Sequence, residues 1–132
     1  MIAFDTNIVV RLLVQDEPDQ AAQAERLLRE AAETGEIVFL SDPVLCEIVW
    51  VLRSQYKATR AEIADALDSL LHNELFEFED RDLFEIALGA YRRTRADLAD
   101  FLIGLQAKTR GARTTYSFDG GLKGQDGFSV LK

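Results

Sequence analysis

The stretch Met1-Ile2-Ala3-Phe4-Asp5-Thr6-Asn7-Ile8-Val9-Val10 decides how the chain is read. Ile2, Ala3 and Phe4 are enough for a buried strand, and Asp5-Thr6-Asn7 is a polar cluster suited to opening a helix from Ile8 to Val14. Asp5 then stands at a strand's carboxyl end, the edge where open α/β sheets bind ligands. The plainer role for the same carboxylate is a helix cap.

Moving outward, short apolar runs alternate with helical patterns. Pro18 starts a helix whose apolar residues Ala21, Ala24, Leu27, Leu28, Ala31 and Ala32 recur at helical spacing before Thr34-Gly35-Glu36 stops it. Ile37–Leu40 reads as a strand, and Val44 to Tyr56 as a helix that is apolar at nearly every position of its first half. Glu47 is the one charge in that run. A carboxylate buried there needs a cation or hydrogen bonds, so a salt bridge, a water-facing position and a functional role all stay open. Thr59 with Glu62 predicts a capping box for a helix ending at His72, whose ring suits the helix's carboxyl end. Leu75–Phe78 reads as a strand and Arg81 to Arg95 as a helix; Asp97 to Lys108 reads as another, with Asp97 and Asp100 on one side. Arg113 to Phe118 is expected to be the last central strand, ending in Asp119. A glycine-rich loop and an edge strand, Phe128–Leu131, close the chain. No lysine-serine or lysine-threonine pair makes those glycines a phosphate loop.

Composition fits one soluble domain spanning 1–132, since 48% of the residues are hydrophobic. The single cysteine, Cys46, has no intramolecular disulfide partner, and no run approaches membrane-spanning length or resembles a signal peptide, so a cytoplasmic protein is expected. Fifteen basic against 23 acidic side chains leave a net charge of −8, which argues against a protein that coats nucleic acid. An enzyme that meets phosphate through a metal tolerates that charge. Arg92, Arg93 and Arg95 form a basic cluster that either tracks a phosphate backbone or balances nearby acids.

The alternation predicts an α/β three-layer sandwich, a central parallel sheet flanked by helices, with the strand carboxyl ends along one edge. Asp5 and Asp119 end two strands; Asp100, Glu47 and Asp97 come from helices that follow such edges. Acids meeting there without cations repel one another unless a divalent metal lies between them, and an all-oxygen set favours Mg²⁺ or Mn²⁺ over zinc.

The motifs Phe4-Asp5-Thr6-Asn7, Val44-Leu45-Cys46-Glu47, Ala96-Asp97-Leu98-Ala99-Asp100-Phe101-Leu102-Ile103 and Ser117-Phe118-Asp119, in this order, resemble the PIN-domain ribonucleases, above all the VapC-type toxins of bacterial toxin–antitoxin pairs. The resemblance runs through the whole chain. It implies a PIN-like fold and a Mg²⁺-dependent endoribonuclease for single-stranded RNA, with Asp5, Glu47, Asp100 and Asp119 as the acidic quartet and Asp97 as an additional acid. It also implies a small antitoxin partner and a homodimer; apolar residues such as Trp50 and Leu52 either supply these interfaces or pack in the monomer's own core. Ser117 stands where a threonine is common, and keeps the hydroxyl.

On this reading Asp5, Asp100 and Asp119 hold the metal and Glu47 activates water. Thr6 and Ser117 support them, Asn7 anchors the loop, and Arg92, Arg93 or Arg95 hold flanking phosphates. Two other classes are weighed. A phosphatase with an aspartyl nucleophile wants a second acid two residues after Asp5, where Asn7 stands instead. A catalytically silent PIN-like binding module would keep the acids for structure alone.

Overall fold

The computed structural model describes residues 1–132, in two compact units, 1–81 and 82–132. In the first, β1 (Ile2–Ala3) leads into α1 (Thr6–Leu13) and α2 (Pro18–Thr34), then β2 (Val38–Leu40), α3 (Asp42–Ser54), α4 (Arg60–Leu71) and β3 (Phe76–Phe78). The strands pair in parallel in the order β1-β2-β3, with Ile2 opposite Val38 and Leu40 opposite Phe78. Parallel neighbours need long crossovers, and the helix pairs supply them. Alternation along β2 buries Val38 and Leu40 and half-buries Phe39. Phe4 meets Phe76 edge to face, with centroids 6.4 Å apart.

Each helix has a local reason to begin where it does. Asp5 and Ser41 cap α1 and α3 by accepting the Ile8 and Val44 backbone N–H. The Thr59–Glu62 capping box forms with both bonds in place, at 3.1 and 2.9 Å, and His72 caps the far end of α4 as its position suggested. On α3 the residues Leu45, Ile48, Val49 and Leu52 are buried, one face of a helix. Leu52 thus belongs to the core, whereas Trp50 points outward, 56% exposed. On α2 the buried residues are Ala21, Ala24 and Ala31; Leu27 and Ala32, expected with them, lie off that face and are exposed. Ala3 is also exposed, so β1 is less enclosed than a buried strand.

The second unit holds α5 (Arg81–Arg93, entering from the last residue of the first), α6 (Leu98–Thr109), β4 (Thr115–Ser117) and β5 (Phe128–Val130). β4 and β5 pair in parallel, Thr115 with Phe128 and Ser117 with Val130. β4 pairs with β5 alone, rather than lying centrally as expected, and alternation turns Tyr116 outward at 59% exposure. The segment between the strands is not simply a loop: Gly120–Leu122 forms a 3-10 turn that buries Leu122. The chain is thus α/β, with parallel strands and helices in both units, as the alternation predicted. No helix is long and apolar enough to cross a membrane.

Gly104 on α6 is fixed by packing. A Cβ there would fall 2.5 Å from the Phe128 ring, which lies edge to face with Phe101 at 6.5 Å. Gly104→Val is therefore expected to destabilise the protein by about 1–3 kcal/mol through overpacking, read from urea unfolding. A midpoint unchanged from the parent would contradict that packing.

Candidate active site

Two hydrogen bonds organise the acids of the first unit. Asp5, just past β1, accepts the Ile8 N–H through Oδ1 at 3.1 Å while its carboxylate stays exposed. The capping and edge positions are therefore compatible, since one oxygen caps α1 and the other has no protein partner. Thr6 is buried, 8% exposed, and its Oγ1 donates to Glu47 Oε1 at 3.1 Å, fixing a carboxylate forty-one residues away. Glu47 itself is exposed, the water-facing one of the positions that its apolar run left open. It shares the outer face of α3 with Trp50, three residues on. Asn7 does not anchor a loop: it is the second residue of α1, and its exposed amide makes no hydrogen bond.

In the second unit Asp97 takes the N-cap position of α6, and its backbone N–H donates to Asp100 Oδ2 at 3.3 Å. Burial raises the Asp100 pKa above the ordinary aspartate value, that hydrogen bond lowers it, and the negative charges of Asp97 and Asp119 raise it further. These three acids therefore sense one another's charge. Asp119 caps the 3-10 turn by accepting the Gly121 N–H through Oδ1 at 2.8 Å, and its own N–H donates to Ser117 Oγ at 3.0 Å. Gly121 permits this approach, since a Cβ there would sit 3.1 Å from Asp119 Oδ1. Ser117 thus shapes the turn and keeps its hydroxyl proton to donate elsewhere.

None of Asp5, Glu47, Asp100 and Asp119 has a cationic partner. Some acids elsewhere do: Asp16 pairs with Arg11 at 3.3 Å, Asp126 with Lys108 at 3.2 Å, and Glu36 with the amino terminus at 3.0 Å. An arginine partner for Glu47 is therefore excluded. An all-carboxylate set lacking cations fits a hard divalent ion. No three Asp, Glu, His or Cys side chains, however, stand grouped so as to hold one.

Arg92, Arg93 and Arg95 are exposed at the end of α5 and just beyond it. Arg93 borders a cleft of about 240 Å³ walled by Ile86, Phe101 and Phe128. A second cleft, which no sequence pattern announces, lies between α1 and α2, where Gln20, Gln23 and Leu27 face Asp5 and Asn7. Its only trace was a glutamine pair three apart, followed by a leucine four residues on, which reads as ordinary helix surface.

The PIN domain family matches residues 2–127, a stretch that includes every acid above. A VapC ribonuclease of Aquifex aeolicus (strain VF5) is 27% identical over 118 residues, covering 89% of this chain and 87% of that protein. No solved structure gives a significant match. With this one family model running through residues 2–127, and so through both units, the chain belongs to the PIN-domain family.

Proposed function

We propose that this PIN domain is a Mg²⁺-dependent endoribonuclease cutting single-stranded or loop RNA, and that it is the toxin of a toxin–antitoxin pair. The observation that carries the reading is the set of four carboxylates, each held by a hydrogen bond and none neutralised by a cation. Asp5, Asp100 and Asp119 would hold the ion, with Mn²⁺ able to substitute. When bound, it supplies positive charge at the scissile phosphate and acidifies water. Glu47 accepts the proton of the attacking water, its carboxylate oriented by Thr6. Ser117 holds the Asp119 turn in shape, and Asp97 adds negative charge beside Asp100. The exposed Arg92, Arg93 and Arg95 hold flanking phosphates, which lets a chain of charge −8 take a polyanion locally.

The name of the Aquifex relative supports the ribonuclease reading. Function on RNA places the protein in the cytoplasm, and a small antitoxin keeps it silent until needed. The exposed Trp50 suits a homodimer or that antitoxin as an interface anchor. A catalytically silent PIN-like module is the second reading, favoured by the lack of any three acids grouped for a metal.

Incubation with single-stranded RNA separates the two. Cleavage is expected with Mg²⁺ or Mn²⁺ and is lost on chelation; cleavage that survives chelation, or none with any divalent ion, contradicts the proposal. Asp5→Asn keeps an oxygen for the cap and so keeps the fold, yet is expected to lower cleavage about a hundredfold or more. Full activity in that variant removes Asp5 from the site.

The raised pKa of Asp100 also sets a pH dependence. Because the folded protein holds that proton more tightly than the unfolded chain, the stabilisation is complete below the unfolded value and is lost as pH rises through the folded one. Asp100→Asn is therefore expected to raise the melting temperature of the metal-free protein at neutral pH, the gain vanishing in acid. A lower melting temperature at neutral pH would show that Asp100 serves stability first.

A further inference from the structure

We infer that the cleft between α1 and α2 is a subsite that reads the base of a nucleotide next to the scissile phosphate; the inference rests on the ribonuclease reading. The cleft encloses about 390 Å³, and Asp5 forms part of its wall. It exists because α2 is alanine-rich at the crossing. Gln20, Gln23, Ala24 and Leu27 share one face of the helix, and Ala24, itself buried, has too little side chain to fill the space between its neighbours.

The walls match the two aspects of a base. Ile8 and Leu27 offer apolar surface to a flat ring, and Leu27, 41% exposed, is not used by the core. Asn7 and Gln23 carry amides with no hydrogen-bond partner, so each presents a donor and an acceptor to a base edge. Unpaired bases in single-stranded RNA are recognised in this way, by stacking and by edge hydrogen bonds. Adenine, whose edge takes paired hydrogen bonds from Asn or Gln, is the best match.

A phosphate suits the cleft less well. Its one cation, Arg11, is already engaged: Nε donates to Gln20 Oε1 at 2.7 Å, and Nη1 donates to the Tyr56 hydroxyl at 3.1 Å and to Asp16 at 3.3 Å. That network neutralises the guanidinium and pins one wall. The Asp5 carboxylate at the same edge repels further negative charge.

The experiment is cleavage of a randomised single-stranded RNA pool with Mg²⁺, sequencing the ends, for the full chain and for Gln23→Ala and Leu27→Ala. Both positions are exposed on α2, where alanine favours the helix, and a thermal melt checks that the variants remain folded. The unsubstituted protein is expected to prefer one base beside the cut. Gln23→Ala is expected to weaken that preference about tenfold while cleavage itself persists. Leu27→Ala is expected to raise KM with kcat little changed. The same base preference in the parent and both variants overturns the inference, as it would if the cleft held a partner's peptide instead. Cutting with no base preference overturns the subsite and leaves the nuclease standing. No cutting by the parent overturns the nuclease reading, and the subsite with it.

Discussion

Negative charge left without a positive neighbour is the constraint that organises this protein. Asp5, Glu47, Asp100 and Asp119 are held instead by dipoles: the Ile8 N–H, the Thr6 hydroxyl, the Asp97 N–H and the Gly121 N–H. Three of these donors are backbone groups at the start of a helix or a 3-10 turn, where N–H groups lack partners and anions are tolerated. Two of these starts, α1 and the 3-10 turn, follow β1 and β4, while α6 follows α5, and at each the carboxylate is held without a salt bridge that would block a bound ion. The cost shows at Asp100, where burial and neighbouring acids oppose ionisation. Strain of this kind at a functional site is offset by ordinary packing elsewhere, such as Leu45, Ile48 and Leu67 in the core.

How much of this could be read from the chain depends on how local each feature is. The Thr59–Glu62 capping box, the Asp5 cap and the end of α2 at Gly35 rest on residues a few positions apart, and all appear where the sequence put them. The parallel strands followed from their alternation with helices. The position of Glu47 stayed open because Val44–Leu52 is apolar at almost every position, which hides the period separating the buried face from the open one. The glycines after Asp119 looked like a free loop because the burial of Leu122 depends on the folded unit, not on its neighbours in sequence. The α1–α2 cleft was invisible for the same reason, since it is a gap between two helices.

The surface carries a second layer of information. Trp50, Tyr116 and Phe118, the last at 77% exposure, are large side chains turned outward in a chain with ample core to bury them. On α3 Trp50 accompanies Glu47, and before Asp119 Tyr116 on β4 and Phe118 just past it flank Ser117. Apolar surface of this kind usually marks a place where something binds.

Anomalous diffraction from crystals soaked in Mn²⁺ tests the central claim most directly, because it locates the ion without reference to activity. One manganese peak per chain is predicted, contacting the carboxylates of Asp5 and Asp100, with Asp119 reaching it directly or through water. Manganese bound at some other surface acid, or at one of these aspartates without the rest, would contradict the account.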